Sequence, residues 1–217
     1  MKNFSLKKLM LALLIGVAVP CVNAQTSQVA HIGDILCVGN QVVSPANFNA
    51  NTHTPVGVVF YVDNTGKHGW AIDLQDTGEF KWRNNQTQTP LTDYDNQRLA
   101  IYDLDGYRNT EIIYAQYNDS TFSTRFPAFA AVDLENGWYL PAIGQLNYLY
   151  GNLIEVNAGI YAAGGTPFET GTSWNYWSST EYNNQHVWCI KASGAITNYF
   201  KSDSHRVRAA RNFSIGQ

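Results

Sequence analysis

The side chains in this chain that could do catalysis or hold a metal are few and scattered. His31, His53, His68, His186 and His205 are dispersed, and none has an i, i+4 partner that would present two imidazoles on one helix face. Asp103-Leu104-Asp105-Gly106 has the opening of a calcium loop but lacks the later ligand positions and the distant Glu, so a solvated acidic turn is expected. Asp93 and Asp95 lie nearby, yet nothing marks a carboxylate pair for acid–base work. There is no glycine-rich phosphate loop between a strand and a helix, and no Gly-x-Ser-x-Gly elbow. We therefore assign no catalytic residue, no metal ligand and no cofactor, and expect no enzyme.

The last forty residues carry chemistry of another kind. Trp174, Tyr176, Trp177, Tyr182, Trp188, Tyr199 and Phe200 alternate with small polar residues, among them Asn183, Asn184, His186, Asn198, Ser202, Asp203 and His205. Aromatics supply rigid contact area and short polar side chains supply adaptable hydrogen bonds, a mixture suited to a binding surface.

The elements that must position them can be read from periodicity. Residues 57–62 are a β-prone run, followed by a turn and by alternation over 70–74 with Trp70, Ile72 and Leu74 on one face, a hairpin on a core. Residues 25–55 are polar, with an apolar stretch from Ile32 to Val43 that could form a short hairpin. Thr110 with Glu111 opens a short helix to Tyr117. Pro141 precedes a helical repeat of Ile143, Leu146, Leu149 and Tyr150. Asn152 and Glu155 open another helix, with Leu153, Val156 and Ile160 inward and Gly164-Gly165 at its end. Strands follow at 187–191, 195–200 and 206–213. Alternation sets Trp188 and Ile190 inward with Ile196, and Cys189, Ala195, Thr197 and Tyr199 outward, with a break or bulge near 198–200. Trp174, Trp177 and Trp188 are expected in the core, with Ser178 and Ser179 bonding turn backbones.

Length and composition set the compartment. Of 217 residues, 45% are hydrophobic and only 14% charged. Lys2, Lys7 and Lys8, the apolar run 9–19 and Val22-Asn23-Ala24 form a secretory signal peptide with cleavage expected after Ala24. Pro20 before Cys21 fits lipoprotein processing badly. Without the three lysines, 11 basic residues face 17 acidic ones, a net charge of −6. That balance, with no basic cluster, gives no nucleic-acid partner, and no second apolar run is long enough for a transmembrane segment. Cys37 and Cys189 could form one disulfide in an oxidising compartment. A chain of this size does not need it, and both are expected to stay unpaired. The protein is expected in the cell envelope or secreted, exposed at the surface.

Three segments carry a family resemblance. Residues 137–142 (GWYLPA), 175–182 (NYWSSTEY) and 204–211 (SHRVRAAR) resemble, in that order, the marks of the C-terminal domain of the Legionella collagen-like protein and the Fibrobacter major paralogous domain. The resemblance spans about residues 56–213 and implies an α+β fold similar to C-type lectins and the formylglycine-generating enzyme, with a twisted antiparallel sheet and two or more helices.

Residues 174–211 also resemble the variable region of proteins diversified by retroelements. Its fixed frame is matched by Trp188, Ile190, Gly194, Ile196, Lys201, Ser204, Arg206, Val207 and Arg208. The open positions hold Cys189, Ala195, Thr197, Asn198, Tyr199, Phe200, Ser202, Asp203 and His205, all reachable from an asparagine codon by changing adenines alone. The calcium-binding segments of true lectins are missing, and Cys189 has no neighbouring cysteine for oxidase chemistry. The resemblance implies an adhesin-like module presenting a diversifiable surface to a protein or glycan. Its candidate contact residues are the nine open positions together with Tyr182, Asn183, Asn184 and His186. A fimbria-like structural subunit, with residues 25–55 for assembly, is the alternative. An enzyme of the formylglycine-generating type ranks third.

Overall fold

A computed structural model describes residues 28–171 and 174–216. The expected signal peptide and Cys21 lie outside the described residues. The rest is α+β, as expected, and its strands form two sheets.

The first sheet has six strands. β1 (Ile35–Cys37), β2 (Gln41–Val43), β3 (Pro55–Val62), β4 (His68–Ile72), β6 (Trp138–Tyr139) and β11 (Ala210–Ser214) run in the order β2-β1-β3-β4-β11-β6. The early hairpin is there, and β1 continues into the sheet by pairing with β3. The second sheet is built from β5 (Gly78–Lys81), β7 (Asn175–Glu181), β8 (His186–Lys191), β9 (Ile196–Phe200) and β10 (Ser204–Val207), ordered β5-β10-β7-β8-β9. Only β10 and β7 pair in parallel.

Three layers of core result. The first lies between the sheets, where Val58, Phe60 and Ile72 meet Tyr176, Trp188 and Ile190 around α5 (Ile143–Gly151) and α6 (Leu153–Ala162), with Ala100 of the short α1 (Gln97–Ala100) beside them. The second covers the far face of the second sheet, packing Trp177, Val187, Cys189 and Val207 against α2 (Gly106–Tyr117), α3 (Phe122–Arg125) and α4 (Pro127–Ala130). A smaller third, with Leu36, Val59, Ala71 and Phe213, covers the far face of the first sheet.

Several sequence expectations are corrected. Residues 206–213 are not one strand. The chain leaves the second sheet at Val207 and enters the first at Ala210, while Asp73 N–H bonds the carbonyl of Ala209 and Thr77 N–H that of Val207. The α2 helix begins four residues before Thr110, because Asp105 accepts the Arg108 N–H and caps it. Thr110 is instead buried inside the helix, its hydroxyl donating to the Gly106 carbonyl and accepting from Leu140 N–H. Asp103 is not a solvated turn residue. It is buried, and its carboxylate accepts from Asn109, Thr180 and the Asp105 N–H.

Candidate binding surface

The second sheet is pinned in place by its tryptophans. Trp177 Nε1 donates to the Phe80 carbonyl (2.7 Å), Trp188 Nε1 to Tyr94 (2.7 Å) and Trp82 Nε1 to Ser178 (2.9 Å). Each indole buries its area and satisfies its one polar atom. Together they fasten residues 78–94 along the sheet. Trp174 departs from expectation: it is 37% exposed, with the Arg206 guanidinium 3.8 Å from its ring centroid.

From Tyr176 onward, successive residues of β7 point to different partners, and all are buried. Tyr176 enters the first core and Trp177 the second. Ser178 Oγ donates to the Trp188 carbonyl, and Ser179 Oγ accepts from Asn109. Thr180 Oγ1 donates to Asp103 and accepts the Ile143 N–H that opens α5. The serines thus bond neighbouring strands and helices rather than turns. Glu181 ends the strand in an ion pair with Lys201, both fully buried. Thr89 donates to the Glu181 carboxylate, and Lys201 Nζ also donates to the Thr87 carbonyl. Burial, then the Arg83 guanidinium, pushes Lys201 down to about 7, with Asp93 pulling the other way. Burying both charges is tolerable only because each is paired and hydrogen-bonded.

β9 is the outer strand of this sheet and pairs with β8 in unbroken register, from Ile196 opposite Ile190 to Phe200 opposite His186. No bulge interrupts residues 198–200. Alternation therefore divides the candidate residues between two faces. Cys189, Thr197 and Tyr199 share the face of the second core. There the His205 ring packs 4.5 Å from that of Trp177 and 4.4 Å from that of Tyr199. Asp203 acts electrostatically on both Cys189 and His205. The opposite face carries His186, Asn198 and Phe200. His186 packs 4.2 Å from Phe200, and Tyr182 lies edge-on to Trp188.

Most candidate residues stay accessible. Asn184, Ala195 and Phe200 are exposed, while Tyr182, Asn183, His186, Thr197, Asn198, Tyr199, Ser202, Asp203 and His205 are half-buried. Asn183 accepts from the Gln185 and His186 N–H groups, so it builds the β7–β8 turn. Ser202 accepts from Gln86. Cys189 is the exception. It is fully buried because the second sheet is covered on both faces, so its outward-pointing side meets another core instead of solvent. It cannot touch a partner, and it is unpaired, as is Cys37. Burial pushes both thiols up. Burial also pushes His205 below the ordinary imidazole range, and Nε2 has no partner among the described residues.

The frame positions are mostly interior: Trp188, Ile190, Lys201, Val207 and Arg208 are buried. Gly194 is at φ +82°, in the turn before β9, where only glycine is at ease. Sequence reasoning missed the Glu181–Lys201 pair, whose partners lie in no local pattern. Among the described residues, no cluster of three or more His, Cys, Asp or Glu could hold a metal. No described helix is long and apolar enough to cross a membrane.

Comparison with known proteins finds similarity at the level of fold. No family model matches the chain, and no curated protein does. A fimbrial protein from Bacteroides ovatus, solved by crystallography, is similar in fold, with a TM-score of 0.61 and 19% sequence identity. The match covers 85% of this chain and 49% of that one, so this chain spans about half its neighbour's length.

Proposed function

We propose that the protein is a ligand-binding, adhesin-like module of a bacterial surface, in a fimbria-like setting, and that it binds without catalysis. The observation that carries this reading is the contrast along β8, β9 and β10. Trp188, Ile190, Lys201 and Val207 are buried and hold the sheet, while Thr197 and Tyr199 on the edge strand β9, Asp203 in the turn after it and His205 on β10 remain half-exposed, with the Tyr199 and His205 rings in contact. Accessible positions tolerate substitution within about 0.5 kcal/mol, whereas truncating a buried tryptophan costs about 3–5 kcal/mol. One scaffold can then present many surfaces, in keeping with a C-type-lectin-like, retroelement-diversified protein. The fold shared with a fimbrial protein and the signal peptide expected from the sequence support the surface location.

The test is adhesion of the labelled protein, from residue 25 onward, to immobilised extracellular glycoproteins and intact cells. Tyr199→Ala, Asp203→Ala and His205→Ala together should reduce retention by about tenfold or more with the melting midpoint checked separately. Undiminished retention by the folded triple variant would remove the β9 edge as the contact surface. Immunogold labelling of intact bacteria checks the location, and signal confined to the cell interior would overturn it.

A further inference from the structure

A second site lies on the first sheet. A cleft of about 980 Å³ opens beside the first turn of α5, where Gln145 lines it, with the paired residues Trp70 of β4 and Asn212 of β11 in its lining and the 102–105 loop at its margin. Its volume is at the upper end of the roughly 300–1,000 Å³ of small-molecule sites.

The lining is held in position before any ligand arrives. The β3–β4 register shifts between Val59 and Tyr61, a bulge that turns both Phe60 and Tyr61 toward Trp70. Tyr61 stacks on Trp70 at 4.2 Å, and Tyr148 closes edge-on against both rings. Gln145 Nε2 donates to Tyr139 Oη (3.0 Å), which donates to Asn212 Oδ1 (2.8 Å). This relay uses the acceptor of Asn212 and leaves its exposed amide N–H₂ as a donor. The Trp70 indole N–H likewise has no partner among the described residues. Tyr102, 76% exposed, offers an unengaged ring at the margin.

The charge of the lining narrows the ligand. Asp63 and Asp105 contribute carboxylates, Asp103 being buried with both oxygens already bonded, whereas the Arg211 guanidinium packs over the Trp138 ring and His68 is engaged by Ser214. An anionic ligand is disfavoured. Oriented donors, carboxylate acceptors and open aromatic faces suit a molecule with many hydroxyls and apolar C–H faces. We propose that this cleft is a binding site for a neutral oligosaccharide, stacked on Tyr102 and hydrogen-bonded through Asn212 and Trp70. It shares no residue with the β9 edge, so either site can fail without the other.

The experiment is saturation-transfer NMR and calorimetric titration of the folded chain with neutral cello-, manno- and chito-oligosaccharides, and with oligogalacturonates as the acidic arm. At least one neutral series should bind. Tyr102→Ala, at an exposed position, should weaken it about tenfold or more without moving the melting midpoint. Asn212→Asp keeps the acceptor for Tyr139 but removes the donor, and should weaken it comparably. Tyr199→Ala and His205→Ala should leave it unchanged. No binding of any neutral series, binding of the acidic arm alone, or binding indifferent to both cleft variants would overturn the proposal.

Discussion

Lys201 and Glu181 are twenty residues apart and fully buried, and they tie the β9–β10 turn to the end of β7. Replacing Lys201 by Met strands a carboxylate in the interior, at an expected cost of about 3–5 kcal/mol in urea unfolding. The double variant Glu181→Leu/Lys201→Met should recover most of that loss, since apolar residues of similar volume pack where the pair stood. His205 makes a different prediction. Its folded pKa lies below the ordinary 6.5, so the unfolded chain takes up the proton first. Its contribution is complete above the ordinary 6.5 and is lost as the pH falls through the lower folded value. Urea midpoints measured from about pH 7.5 to about 5 should fall less steeply for His205→Phe than for the parent. Individual residues were the least legible in the sequence. Alternation located Cys189 correctly on the side opposite Trp188, but nothing local announced that this side is also roofed.

Elements were read better, and for reasons of periodicity. The β3–β4 hairpin, α5 and α6 show their alternation or helical repeat plainly, and each appears close to its expected bounds. α2 starts earlier than the sequence suggests because Thr110, which looks like a cap, is an interior residue bonded back to the Gly106 carbonyl, and Asp105 caps the helix with a direct bond to the Arg108 N–H. Asp105→Ala should destabilise the protein by about 1 kcal/mol, read as a lower urea midpoint. The division of 206–213 into β10 and β11 is marked in the sequence only by Ala209-Ala210, two small apolar residues in a row that interrupt the alternation without any glycine or proline to announce a turn. Gly69 marks another close approach. A Cβ there would sit 2.1 Å from the Tyr61 carbonyl oxygen and 2.9 Å from the Phe213 ring. Gly69→Ala should cost about 1–3 kcal/mol and, by prising β4 from β3, disturb the Tyr61–Trp70 stack, visible as a change in near-ultraviolet circular dichroism.

At the scale of the molecule, the α+β class was legible and the arrangement of layers was not, because which face of a sheet is covered depends on segments distant in sequence. The early hairpin illustrates this. Ile35 and Cys37 are in the central core and Leu36 and Val42 in the outer one. Removing residues 25–50 should therefore abolish cooperative unfolding, as monitored by circular dichroism and limited proteolysis. A truncated chain that still melted sharply would show instead that this segment is separable from the rest of the fold.

Each of the two principal layers contains a single thiol, Cys37 in one and Cys189 in the other, both sealed from water. An alkylating reagent can reach either sulfur only when its own layer parts, which makes the pair a native stopwatch for local breathing. Equal labelling rates would mean that the two halves come apart in a single event. Unequal ones would identify the half that gives way first.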